Sequence, residues 1–381
     1  MEHGFQVLPL EGLVNFKTGK LNSNAAKPDG MFPFFTCSQE TFRTDTWSFD
    51  GEYVLLAGNN AAGIYPLKYY NGKFDAYQRT YAINAIDENV LVTRYVYYAL
   101  RLQLELMKNI STGVATKFLT LSLLNRTQIP VPPLPTQQKI AAILSVYDDL
   151  IENNLRRIKI LEEMAQNLYR EWFIKFRFPD YQHARFTDSP LGRIPEGWEV
   201  MKVGDILKKV KRGTKIQNQD YAAEGLIPVV DQGKEFIGGY TDNTESLNSD
   251  DLPLIVFGDH TRVLKYIDFP FACGADGTQL LKSRTNRMPM SLFFYTLKYI
   301  DLSSFAYARH FKFLKEKKVI LPDEKIAQAF ANLADPIREH IRCLSKRNDN
   351  LRRTRDLLLP KLISDEVDVS DLDIKETAPN Q

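Results

Sequence analysis

The run IPVPPLPTQQKIAAILSVYDDLIENN, residues 129–154, decides the fold, because a long helix begins just after its first prolines. Thr136 stands as its N-cap, and apolar residues follow at Ile140, Ile143, Leu144, Tyr147, Leu150, Ile151, Ile158, Leu161, Met164 and Leu168. From Gln137 to Trp172 such a helix spans about 50 Å at ~1.5 Å per residue, too long for the interior of a small domain, so it reads as a spacer. The same device recurs at Val319-Ile320-Leu321-Pro322, with Asp323 as the cap. Phe330, Ile337, Leu344, Leu351 and Leu358 then follow seven residues apart, the repeat of a coiled-coil seam. The two seams, Ile140, Leu144, Tyr147, Ile151, Ile158, Leu161 and Leu168 on one helix and this heptad series on the other, predict an antiparallel pair. Asn154 and Arg347 interrupt the heptads, which leaves two ordinary surface helices of separate domains as the alternative.

Working outward, the chain repeats itself. FQVLPLEGL (5–13), leading to Thr18-Gly19-Lys20, matches WEVMKVGDI (198–206), leading to Gly213-Thr214-Lys215, with the glycines in correspondence. YVLLAGNN (53–60) matches LIVFGDH (254–260), each a strand running into a polar loop. Lys117-Phe118-Leu119 matches Lys312-Phe313-Leu314, and helical stretches at Thr93 to Met107 and Met290 to Tyr299 sit late in each half. The expected fold class is α+β: two similar heads, 1–132 and 195–320, joined by spacer helices 133–175 and 321–364 with pseudo-two-fold symmetry. A linker at 176–194 and an acidic, disordered tail at 365–381 complete this division.

Composition excludes several classes. No apolar run is long enough to cross a bilayer, and the first ten residues do not resemble a secretion signal, so a cytoplasmic protein is expected. Cys37, Cys273 and Cys343 are far apart and form no CxxC pair, as in reduced, mostly buried thiols. The net charge of +2 does not betray a polyanion ligand, but Lys208, Lys209, Lys211, Arg212 and Lys215 cluster while the tail is acidic.

Residues 129–154, with LEEMAQNLYREWF (161–173), FRFP (176–179) and LGRIPEGWEV (191–200), resemble the central region of type I restriction-modification specificity subunits. RDLLLPKLIS (355–364) is similar to the C-terminal helix of that family. The first head departs from the pattern, having Gly4-Phe5 where the second has the IPEGW entry at 194–198. The resemblance implies two target-recognition domains on a helical spacer and a bipartite double-stranded DNA target. It also implies two adenine methyltransferase subunits and translocating nuclease subunits as partners. S-adenosylmethionine, ATP and magnesium are then expected on those partners and no cofactor or metal on this chain.

The residues agree with a chain lacking its own chemistry. Val131-Pro132-Pro133-Leu134 lacks the polar residue and ring that grip a flipped base, Gly58 to Gly63 lacks the context of a dinucleotide loop, and no GxxxxGK[ST] run occurs. Asp323-Glu324-Lys325 reads as a helix start, and the five histidines show no metal-ligand spacing. Reading bases requires Arg, Asn, Gln and similar groups on loops, with basic residues on phosphates. In the first head the candidates are Lys17, Lys20, Asn22, Asn24, Ser38, Gln39, Arg43, Asn59, Asn60, Gln78 and Arg79. In the second they are Lys211, Arg212, Lys215, Gln217, Gln232, Lys234, Asp259, His260, Arg262 and Gln279. The aromatic set Tyr169, Trp172, Phe173, Phe176 and Phe178 serves either as a docking surface or, the favoured reading, as internal packing. A single-chain methyltransferase-nuclease that lost its catalytic part and a non-DNA coiled-coil adaptor remain as alternative functions.

Overall fold

A computed structural model describes residues 5–60, 65–110, 117–303 and 309–373. The chain divides into two compact units, 1–154 with 346–381, and 155–345.

In the first unit the strand Gln6–Pro9 pairs antiparallel with Gln128–Val131, tying the start of the head to its end. The central sheet runs in the order Val14–Thr18, Thr80–Ala85, Glu52–Ala57, Leu67–Asn71. Its middle strand is almost continuously apolar because both faces are covered. Val54 and Leu56 meet the helix Thr93–Ile110, and Tyr53 and Leu55 meet a second core with Phe35, Phe49 and Phe74. A smaller sheet places Phe32–Phe35 between Phe42–Thr44 and Asp75–Ala76.

The second unit repeats this plan. Glu199–Lys202 pairs with Lys318–Leu321, and Leu254–Gly258 lies between Leu264–Ile267 and Thr278–Leu281. Ile255 and Phe257 face the core that includes the helix Met290–Tyr299, while Leu254 and Val256 face Val230, Phe271 and Cys273. Ile227–Val230 takes the place of Phe32–Phe35, each pairing parallel with a following strand, Phe271–Cys273 or Asp75–Ala76.

The two long helices are Leu134–Tyr169, which continues into a π-helical turn at Arg170–Ile174, and Glu324–Ile363. Within the first unit they run antiparallel: Arg355 bonds Asp148, and the Asn154 side chain donates to Asn348 at 2.8 Å. Within the second unit the same order holds, with Arg157 beside His340 and Tyr169 beside Phe330. Of the predicted seams, Ile140, Leu144, Ile151, Phe330 and Leu344 are buried. Tyr147, Ile158, Leu161, Leu168, Ile337, Leu351 and Leu358 are half-buried.

Several expectations are corrected. Thr136 is not the cap, because the helix starts at Leu134 and the Pro133 carbonyl accepts the amides of Thr136 and Gln137. Asp323 is a cap, its Oδ1 accepting from the Ile326 amide at 2.9 Å. Leu150 and Met164 are exposed, since a two-helix contact covers a narrower stripe than the apolar pattern supplies. Lys117-Phe118 forms a strand with Asn59–Asn60, whereas Lys312 to Leu314 lies in the helix His310–Glu316; that sequence match joins unlike elements. The spacer helices are not separate bodies. Ile140, Leu144, Leu359 and Leu362 belong to the first core and Trp172, Phe173 and Phe330 to the second. The linker holds a hairpin, Phe186–Ser189 with Gly192–Pro195. The acidic tail is structured up to Asp373: Val369 is 2% exposed, and Lys139 bonds the Ser370 carbonyl. Residues 374–381 lie outside the described residues. All three cysteines are free thiols, but Cys343 is exposed and Cys37 half-buried.

Candidate nucleic-acid interface

In the first head three connections meet at one edge of the sheets. The loop 36–41 follows Phe32–Phe35, the loop 77–79 follows Asp75–Ala76, and Gly58-Asn59 follows Glu52–Ala57. The Arg79 carbonyl joins them, accepting from the Gly58 amide at 2.8 Å and the Cys37 thiol at 3.5 Å. A fourth segment is stitched on at Leu21, whose amide bonds the Ala76 carbonyl and whose carbonyl accepts from the Gln78 amide. A Cβ on Gly19 would lie 1.8 Å from the Ala76 carbonyl oxygen, so this close passage requires glycine.

The second head builds the same edge from different side chains. Ile216 repeats Leu21, bonding the Cys273 carbonyl and accepting from the Ala275 amide. Lys20 therefore corresponds to Lys215 and Asn22 to Gln217, and the matched glycines are offset by one. Asn22 and Gln217 each precede a 3-10 turn without spending the side chain on a cap bond. Gln232 is the clamp: Oε1 accepts from the His260 amide at 3.1 Å, Nε2 donates to the Asp276 carbonyl at 3.1 Å, and its carbonyl accepts from the Thr261 hydroxyl at 2.6 Å.

The edge thus gathers Lys20, Asn22, Asn24, Ser38, Gln39, Asn59, Gln78 and Arg79 in one head. In the other it gathers Lys215, Gln217, Gln232, Lys234, His260 and Arg262. Most of these are exposed; Ser38, Asn59 and Gln232 are half-buried. The Asn60 backbone pairs with Lys117, and its side chain lies outside the described residues. Lys17 is exposed on an outer strand and Lys211 on the segment before Ile216.

Four candidates are committed to the scaffold. Asp259 is 5% exposed, and its Oδ1 accepts from the Phe311 amide at 2.7 Å in the first turn of His310–Glu316. Its counterpart by hydrogen bonding is Gly58, so Asn59 corresponds to His260. Arg43 donates to the Gly30 and Met31 carbonyls. Arg212 donates to the Thr278 carbonyl and to Gln279, holding that pair together.

Two lysines that sequence reasoning passed over lie beneath the edge. Lys68 donates to the Ser38 and Glu40 carbonyls at 3.1 and 2.9 Å and to the Thr41 hydroxyl at 3.1 Å. Lys265, 3% exposed, bonds the Glu235 carbonyl and sits 3.7 Å from Asp231. Burial pushes the Lys68 ammonium down to about 8 against the pull of Glu40, and burial also lowers Lys265 against Asp231. An isolated lysine within an apolar strand gives little clue to such a role.

The aromatic set is internal: Trp172 and Phe173 pack on Phe330, and Phe173, Phe176 and Phe178 surround Trp198. Among the described residues no cluster of three or more His, Cys, Asp or Glu could hold a metal, and no helix is long and apolar enough to cross a membrane.

The type I restriction modification DNA specificity domain model matches residues 2–163 and 195–351, one match for each head. The chain is 30% identical over 318 residues to the MjaIX specificity subunit of Methanocaldococcus jannaschii, covering 76% of this chain and 72% of that protein. It is 31% identical over 245 residues to the EcoDI specificity subunit of Escherichia coli, covering 58% and 54%. The fold is similar to that of the type I restriction-modification S subunit from M. genitalium, with a TM-score of 0.59, 19% identity and coverage of 95% and 96%. With the family matched in both halves and the same loop edge built in each, the chain belongs to the specificity subunits of type I restriction-modification systems.

Proposed function

We propose that each loop edge reads one half of a bipartite double-stranded DNA target. The observation that carries this is the repetition of one backbone scaffold with different polar side chains, exposed Asn22 against exposed Gln217 and half-buried Asn59 against exposed His260. A constant frame with exchanged polar tips is what direct readout of two different half-sites needs. Exposed Lys17, Lys20, Arg79, Lys211 and Lys215 supply the phosphate contacts. The chain has no reaction of its own. Two adenine methyltransferase subunits bring S-adenosylmethionine, and translocating nuclease subunits bring ATP and magnesium; both kinds assemble on the helical spacer in the cytoplasm. Exposed apolar side chains on the first long helix, among them Val146, Leu150, Ile160 and Met164, are suited to such partners.

Co-expression with the methyltransferase subunits, followed by mapping of methylated adenine across the host DNA, is expected to reveal a two-part motif. The purified chain alone is expected to methylate and cleave nothing. Active methylation without a motif would overturn the reading.

A further inference from the structure

The two heads share a feature that the readout itself does not require. Each presents a loop after the parallel-paired strand, 36–41 and 231–236, and each loop is tightened by its first side chain. The Thr36 hydroxyl accepts from the Ser38 amide at 3.1 Å, and the Asp231 carboxylate accepts from the Gly233 amide at 2.8 Å. By this register Glu40 corresponds to Glu235. A lysine from the neighbouring strand then reaches the carbonyl of that same residue in both heads, Lys68 to Glu40 and Lys265 to Glu235. The two lysines lie on equivalent strands, Lys68 opposite Leu55 and Lys265 opposite Val256, with their partners in equivalent small cores. Taking an ammonium out of water, fully at Lys265 and in part at Lys68, is costly unless it is hydrogen-bonded, and a solvated surface loop does not call for it. The same lysine-to-carbonyl contact built twice, from a half-buried Lys68 and a buried Lys265, points to a need for loop rigidity. Ser38 and Gln39 ride on one pinned loop, Gln232 and Lys234 on the other.

Resting on the readout proposed above, we infer that Lys68 and Lys265 are positioning residues for sequence discrimination, each governing the half-site read by its own head without touching DNA. A loop held on carbonyl contacts presents its side chains in one arrangement, so a mismatched base meets unpaired groups instead of an adaptable surface.

The test uses the complex with its methyltransferase subunits and the substitutions Lys68→Met and Lys265→Met. Initial methylation rates are measured on the cognate duplex and on duplexes with a single changed base pair in either half, and binding is measured as a function of salt. Each variant is expected to lose roughly tenfold of its discrimination in one half-site, a different half for each variant, and to keep the other. The salt slope is expected to stay unchanged, whereas a lysine on a phosphate would lower it by about one. A lowered slope with discrimination kept, loss in both halves at once, or no change in either would overturn the inference. Absence of any sequence preference in the wild-type complex would instead overturn the underlying reading of the edges. Hydrogen exchange on the wild-type complex before DNA is added gives a readout independent of the variants. Amides 36–41 and 231–236 are expected to be protected, and free exchange there would mean that the lysines pin nothing.

Discussion

At the scale of single residues, the loop edges show how many polar side chains of such an edge are framework. Asp259, Arg43, Arg212 and Gln279 have the side chains of base readers yet spend them on backbone or on each other. Their types were legible in the sequence; their commitments were not, because an unpaired backbone group competes for any nearby donor or acceptor. Directly beside the edge, Thr80 and Thr278 open equivalent strands, both buried and both with hydroxyls lacking a protein partner. A buried hydroxyl without a partner carries a desolvation cost that valine avoids at nearly the same shape. Thr80→Val and Thr278→Val are expected to raise stability by about 1 kcal/mol each, read by chemical denaturation of the complex. Loss of stability instead would identify a bound water as the missing partner.

At the scale of elements, the long helices show where pattern suffices and where it misleads. The heptad series and the cap at Asp323 were legible, but Pro336 and Pro360 lie inside the second helix, where local rules would end it. Packing of Ala334, Leu359 and Leu362 into the two cores sustains the helix through them. Asn154, which breaks the heptad, is answered by Asn348, 1% exposed, which also donates to the Ile151 carbonyl. An amide pair with one buried and one half-buried member restricts helix register because a shifted alignment leaves the buried amide of Asn348 unsatisfied. Asn348→Leu alone is expected to cost about 2 kcal/mol by stranding Asn154, while the double change to leucine costs less than the single. Equal or additive losses in a double-mutant cycle would show that the amides do not act as a pair. Junctions differ too: Gln137 ties Pro132 to the loop before the helix Thr93–Ile110. In the second head Arg287 reaches the Pro322 carbonyl from the opposite side of the junction.

At the scale of the whole molecule, modular reading follows from each unit having its own cores and its own edge. Replacing residues 1–132 with the first head of a relative is expected to change one half of the methylated motif and spare the other. Because Leu359 and Leu362 complete the first core, the exchange tolerates only incoming heads that present apolar residues to them. Methylome mapping of the hybrid reads the outcome directly, and a change in both halves would contradict modular reading.

The sequence by itself determined the repeat, the α+β class, the two long helices and the family, since periodicity, caps and repeated strings are local properties of the chain. Only tertiary structure decided which polar side chains remain for a ligand, which lysines lie beneath the loops, and that the helices are shared between the two cores. Those outcomes depend on partners distant in sequence: Lys265 is placed beneath residues 30 positions earlier, and Asn348 opposite a residue 194 positions earlier. No local pattern encodes such pairings; they follow from burial, which makes every enclosed polar group find a partner wherever the fold brings one.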